Sequence, residues 1–399
     1  MDQKDSMENQ KCDKFRSEWD IALKGTPVEI LKNLGVAIDK FNGFRGTNII
    51  QLSPLHIVAR IGPLELFSYV LAKMKIKNPE NDQKWTPFHE AVRSGHLEIV
   101  KCSFDNVQDK NPKEKDGWTP IHLAAYYGQF EILKYLRENI SEKNPIDSTG
   151  RTLLHCAART GKLEICKYLI EVTDQKDLHP RDNVGSTPLH HAVIDGHLDV
   201  CKLIIENVSD KNPLCNKGWS PIASAVHFGR LEVFKYLTAD MIDKNTYNNE
   251  NGWSLLHYAA KVGHLEVFKF IANTLVDKNP SSSKLEGKTP LHIACEYGKV
   301  EICEYIMKKI GAENSCHICD QENRKLNRNP KMVDGKTPLH LAAINDHENV
   351  CQLLMEHMES EKEINPKDNQ GKTPLILAAE KENWDAVAVI AQACQSFQC

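Results

Sequence analysis

The sequence predicts an all-α solenoid of about ten stacked repeats, each a β-hairpin loop followed by two antiparallel helices. Three features predict it. A four-residue phrase returns ten times at a near-constant interval, paired apolar segments follow each copy, and a glycine-marked turn precedes it. The phrase reads SPLH from Ser53, TPFH from Thr86, TPIH from Thr119, TLLH from Thr152 and TPLH from Thr187. It continues as SPIA from Ser220, SLLH from Ser254, TPLH from Thr289 and Thr337, and TPLI from Thr373. Successive steps are 33, 33, 33, 35, 33, 34, 35, 48 and 36 residues, a period that signals stacked supersecondary units.

Each element has a local cause, seen in the third copy. The Thr119 hydroxyl caps a helix, and Pro120 occupies the first helical position, where no amide hydrogen is needed. Ile121, Ala124 and Ala125 form the apolar side of a short helix, and the paired alanines let neighbouring helices approach closely. Gly128 supplies a left-handed stop. Phe130, Leu133 and Leu136 then give a second amphipathic helix. Neither helix can bury its face alone, so adjacent copies must stack. Between copies runs DKNP at Asp109, Asp210 and Asp277, EKNP at Glu142 and DKNT at Asp243, where Asn and Pro favour a turn. A glycine stands two residues before most copies; Gln51 and Lys84 replace it in the first two, which predicts distorted hairpins there.

The stretch GWTPIHLAAYYGQFEILKYL from Gly117 resembles the ankyrin-repeat family along its whole length, and the resemblance covers roughly residues 18 to 394. It implies stacked hairpin–helix–turn–helix units with a concave surface that binds other proteins. Residues 18–50 match only the second half of a repeat and are read as a degenerate N-terminal cap. Residues 1–17 read as a polar, disordered arm, 51–394 as the ten-repeat solenoid, and 395–399 as a short tail. The 48-residue step marks an insert at about 308–333. It carries Cys316-His317-Ile318-Cys319, a flexible loop with two ordinary thiols; a structural zinc site needs four ligands, and this motif supplies at most three.

Composition narrows the function. A net charge of −4 gives no polyelectrolyte signature and argues against nucleic acid as the partner. The longest apolar run, Ala386 to Ala391, is far shorter than the ~18 residues of a membrane span. The N-terminal segment is charged throughout, unlike a secretory signal, so the expectation is a cytoplasmic protein, with the nucleus as a second compartment. Cys166, Cys201, Cys303 and Cys351 share a slot with Phe67, Val100, Leu133, Phe234 and Phe268, which marks them as small hydrophobes of a packing site. Eight of the 17 histidines sit in the TPLH slot (His56, His89, His122, His155, His190, His257, His292 and His340). A residue repeated in nearly every unit is not catalytic, and the resemblance implies an internal hydrogen-bonding strut between loops. His96, His197, His264 and His347 begin the second helix at matching places. With no nucleophile elbow, phosphate loop, zinc-protease helix or dinucleotide glycine pattern, no enzyme, cofactor, metal or small-molecule substrate is expected.

The expected function is that of a monomeric scaffold binding one or more partner proteins. The alternative is a substrate-recognition adaptor of a ubiquitin ligase or signalling complex; such ankyrin proteins carry a recruiting box after the repeats, and nothing resembling one follows here. Two slots are expected to line the concave side. The residue after each repeat glycine gives Trp85, Trp118, Arg151, Trp219 and Trp253. The pair after the two-alanine step gives Arg93, Tyr126, Tyr127, Arg159, His227, Phe228, Lys261 and Tyr297. Trp, Tyr and Arg dominate interface energetics, so the stretch Trp85–Arg159 is the expected central contact, with Phe228 and Trp253 as a second anchor. The alternative for each Trp is packing on its neighbouring hairpin.

Overall fold

The computed structural model describes residues 53–173, 180–239, 241, 253–275, 279–282, 286–314, 329–358 and 361–396. The arm, the cap, Gln51, the DKNT link at Asp243 and the Cys316–Cys319 motif lie outside them. Within the described residues the regular structure is helical, apart from a single isolated bridge between Ser282 and Lys288. The chain divides into two compact units with the boundary at residues 211–218.

The first unit holds five helix pairs: α1 (Pro54–Ile61) and α2 (Leu64–Lys73), α3 (Pro87–Ser94) and α4 (Leu97–Asn106), α5 (Pro120–Tyr127) and α6 (Phe130–Asn139), α7 (Leu153–Arg159) and α8 (Leu163–Val172), α9 (Pro188–Asp195) and α10 (Leu198–Asn207). First helices pack on first helices, α1 on α3, α3 on α5, α5 on α7 and α7 on α9, while second helices form an outer row. The second unit repeats the plan with α11 (Pro221–His227) and α12 (Leu231–Leu237), α13 (Leu255–Val262) and α14 (Leu265–Asn273), α15 (Pro290–Glu296) and α16 (Val300–Asn314). It continues with α17 (Pro338–Ile344) and α18 (Glu348–Glu356), the short turn α19 (Glu361–Ile364), and α20 (Pro374–Glu380) with α21 (Trp384–Ser396). α16 extends to Asn314, well into the segment expected to be a loop insert.

The predicted packing slot is the core of both units. Phe67, Val100, Leu133, Cys166 and Cys201 are fully buried in the first, and Phe234, Phe268, Cys303 and Cys351 in the second. Burial pushes the Cys166 and Cys201 thiols up to about 12, so they are uncharged packing groups.

Five of the TPLH histidines tie their repeat to the next, while the Nε2 atoms of His122 and His292 are buried without a hydrogen-bond partner. Thr86 N–H donates to His89 Nδ1 at 3.1 Å, and the same nitrogen lies 2.8 Å from the Thr86 hydroxyl. A ring nitrogen that accepts a backbone N–H carries no proton, so the proton is on Nε2. That nitrogen donates across the repeat boundary: His56 to the Trp85 carbonyl at 2.9 Å, His89 to Pro112 at 3.1 Å, His155 to Ser186 at 3.1 Å. In the second unit His257 reaches Lys288 at 3.2 Å and His340 reaches Lys372 at 3.2 Å. Burial lowers His56, His89, His122, His155 and His292 to about 4, which keeps the rings neutral and the tautomer fixed.

The second histidine set does a related job. His96 Nε2 donates to the Arg60 carbonyl, His197 to Arg159, His264 to His227 and His347 to Glu296, at 2.8 to 3.1 Å. Each satisfies an orphan carbonyl at the end of the previous first helix. The ring lies over that repeat's glycine: a Cβ on Gly161 would stand 2.5 Å from His197 Nδ1.

The hairpin loops are tight turns rather than paired strands. In the third repeat Gly117 N–H bonds the Glu114 carbonyl at 3.0 Å and Glu114 N–H bonds Trp118 at 2.9 Å. One amide per tip reaches the preceding tip, as in Lys115 to Gln83, Ser148 to Asp116 and Asn183 to Thr149, so too few residues pair to make a strand. The expected distortion at Lys84 is absent. Lys84 adopts φ +56°, and its turn keeps both bonds, Lys84 N–H to Asn81 at 2.8 Å and Asn81 N–H to Trp85 at 3.0 Å. The stack imposes the left-handed conformation on a residue that disfavours it.

Candidate functional site

The two slots singled out in the sequence come together on the row of first helices, one group in each unit. Their neighbours explain the placement. The residue after the turn glycine extends toward the last turn of its own first helix, where the pair after the alanines begins.

In the first unit, Trp118 stands edge-on to Tyr126, with ring centroids 5.1 Å apart, and Tyr126 is edge-on to Tyr127 at 5.2 Å. The Arg151 guanidinium lies 5.4 Å from the Trp118 ring centroid, and that of Arg93 lies 5.8 Å from the Tyr127 ring. Arg151 is aimed by Asp147, whose Oδ2 accepts its Nε–H at 2.8 Å and whose Oδ1 accepts the Thr149 and Arg151 amides. Those donors hold the Asp147 carboxyl below the usual carboxylate range even though burial opposes them. Arg159 stands apart, 3.9 Å from Asp195. Trp85 stacks on its own His89, 5.1 Å between centroids, with its indole nitrogen buried.

In the second unit, Trp219 is edge-on to His227 at 5.2 Å and to Tyr258 at 5.5 Å. Burial lowers His227, whose Nδ1 lies 2.5 Å from the Tyr258 hydroxyl. Phe228 leans on His227 at 4.7 Å. Lys261 bridges two rings, 5.3 Å from Trp253 and 5.1 Å from Tyr297.

Exposure separates roles within each pair. Tyr126 and His227 are half-buried and locked against a Trp, whereas Tyr127, Phe228 and Tyr297 are 39%, 38% and 40% exposed. The tryptophans themselves are half-buried on their own repeats. The tryptophans pack beneath, and the second residue of each pair is left exposed.

Sequence reasoning missed the slot that follows the TPLH histidine, because most repeats fill it with an apolar residue. Tyr258 occupies it in one repeat and completes the Trp219–His227 cluster. His191 occupies it in another, donating from Nε2 to buried Asp182 Oδ2 at 3.0 Å and meeting His155 edge-on at 5.3 Å. Glu90 occupies it in a third; burial raises its carboxyl, partly offset by Arg93 and Arg60. The signal was a polar residue where neighbouring repeats hold Ile57, Leu123 or Ile293. Arg60, in the same slot as Arg93, also escaped notice.

Among the described residues, no group of three His, Cys, Asp or Glu side chains is arranged to hold a metal, and no helix is long and apolar enough to cross a membrane. A family model described as ankyrin repeats (3 copies) matches the chain at residues 21–102, 102–182, 172–248, 240–318 and 315–397. No curated protein matches the chain at a significant level.

Proposed function

This chain belongs to the ankyrin-repeat family, whose repeats are general protein-interaction modules, and from that premise we propose that it is a non-catalytic scaffold for partner proteins. The concave row of first helices is its binding surface. The single observation that carries this reading is the split between buried and exposed aromatics. Trp118 and Trp219 hold Tyr126 and His227 in place, while the adjoining Tyr127 and Phe228, and Tyr297 beside Lys261, stay more than a third exposed. Pre-positioned aromatic groups bind at little entropic cost, because their rotamers are fixed before the partner arrives.

The scaffold works in the cytoplasm or nucleus. Six buried cysteines, Cys156, Cys166, Cys201, Cys295, Cys303 and Cys351, are thiols, which suits a reducing compartment. The test is affinity purification with quantitative mass spectrometry, using the full chain and its Tyr127→Ala/Phe228→Ala variant. Each truncation is expected to cost about 2 kcal/mol, roughly 30-fold in affinity, for partners that cover it. Partners captured equally by both proteins, with the variant folded, would refute the surface.

A further inference from the structure

Arg60, Arg93, Tyr126 and Arg159 occur at 33-residue steps and occupy one slot on four consecutive repeats. Their helices α1, α3, α5 and α7 pack side by side, so the four residues form a single file along the first unit. The file is fixed from behind. The carbonyl of each accepts a bond from the next repeat: Arg60 from His96 at 3.1 Å, Arg93 from Gln129 at 3.4 Å, Tyr126 from the Thr160 hydroxyl at 2.8 Å, Arg159 from His197 at 3.1 Å. With packed helices about 10 Å apart, Arg60 and Arg93 stand one such spacing apart and Arg93 and Arg159 two, with Tyr126 between them.

All three arginines are exposed. Neither Arg60 nor Arg93 makes an ion pair with a described residue, and Arg159 has only Asp195 at 3.9 Å, a solvated contact worth little. The nearby carboxylates do not neutralise the file. Asp147 is committed to Arg151 and its own turn, and Glu90 is buried and makes no ion pair with either arginine. Tyr127 adds an exposed ring beside Arg93.

We propose that the arginines of this file, Arg60, Arg93 and Arg159, with the exposed Tyr127 ring beside Arg93, bind an acidic segment of a partner protein, in extended form, with its carboxylates spaced at multiples of about three residues. The inference rests on the reading of this row as the binding surface. Three residues of extended chain span about 10 Å, the spacing of the repeats. Carboxylates can take guanidinium groups bidentately, which gives register as well as attraction. Exposed Asp82 and Asp116, in the turns before α3 and α5, and Asp195, which ends α9, would repel the continuous charge of a nucleic-acid backbone. Discrete carboxylates can avoid them.

The test is fluorescence anisotropy on the full-length chain with labelled synthetic 16-residue probes. One carries Glu at every third position between Gly and Ser, one carries Lys at those positions, one carries the same glutamates in a single block, and one is single-stranded RNA. The spaced Glu probe is expected to bind at least tenfold tighter than the Lys and block probes and to weaken at least fivefold from 50 to 300 mM salt. Arg60→Gln/Arg93→Gln/Arg159→Gln should lose at least tenfold while melting as the parent does; Lys101→Gln on α4 should change nothing. Equal binding of the Glu and Lys probes, tighter binding of the RNA, or full affinity in the triple variant would overturn the proposal. Peptides selected from an unbiased display library separate the two readings. Selected peptides that lack acids but lose affinity with Tyr127→Ala sink the acidic segment and leave the surface standing. Acidic peptides indifferent to both sets of substitutions sink both.

Discussion

Acid should unfold the first unit in a window set by its struts. His56, His89, His122 and His155 are held near 4 by burial, against 6.5 for a free imidazole. The folded state therefore refuses protons that the unfolded chain accepts between pH 6.5 and 4. Above pH 6.5 both states are neutral and nothing is lost. As pH falls through the window, the unfolded state binds more protons and stability drops. At pH 5.5 the difference is about 0.9 proton per histidine, a slope of about 1.2 kcal/mol per pH unit each. By pH 5 each strut has cost about 2 kcal/mol, and four together about 8, the scale of a whole domain's stability. Urea unfolding followed by circular dichroism at pH 7, 6, 5.5 and 5 measures this directly. His122→Gln should lower the slope near pH 5.5 by about 1.2 kcal/mol per unit, whatever it does to stability at pH 7. A parent protein equally stable at pH 7 and 5, or a variant with an unchanged slope, would show that the histidines do not carry the acid sensitivity.

Three further substitutions probe the stack. Gly161→Ala places a Cβ 2.5 Å from His197 Nδ1 at φ +70°, so it should displace the ring, break its bond to the Arg159 carbonyl and cost about 2 kcal/mol or more. A melt unchanged within error would refute the ring-over-glycine contact. Lys84→Gly relieves a left-handed conformation and should stabilise by about 0.5–1 kcal/mol despite the entropy that glycine adds to the unfolded chain; a loss of stability would mean the Lys84 turn is not strained. Cys166→Ala should cost less than Cys166→Ser, since the site is fully buried and a hydroxyl there loses its water; equal melting temperatures would contradict the packing role.

The parts of the fold legible in the sequence are those where one residue type has one physical use. Thr119–Pro120 can only begin a helix there, and the Phe67–Cys166 slot tolerates anything apolar and nothing else, so both were readable from recurrence. Lys84 was not, because its conformation is imposed by the turn it closes, where its N–H bonds the Asn81 carbonyl and the Asn81 N–H bonds that of Trp85, rather than by its own preference. The slots of the proposed surface were locatable, but their division was hidden. Whether Tyr126 or Tyr127 faces water depends on where the neighbouring Trp118 ring lies, and that follows from three-dimensional packing across one repeat. His191 and Glu90 stayed out of view for the same reason, since a polar residue in an apolar slot looks like drift until Asp182 or Arg93 is seen beside it.

That division also explains how one scaffold serves both stability and recognition. Residues that join repeats act through groups facing the next unit: the TPLH imidazole, the second-helix histidine, the tip amide. Most use an atom already committed to a backbone partner, and the TPLH rings are buried away from any ligand. The first-helix ends are left over by this arrangement, because their carbonyls are tied from behind while their side chains point away from the joint. A change from Arg to Tyr at that position, as between residues 93 and 126, alters the surface without touching a bond that holds the stack. Sequence variation in the slot is therefore cheap in stability, and it is at this position that the first unit sets its arginines 33 residues apart.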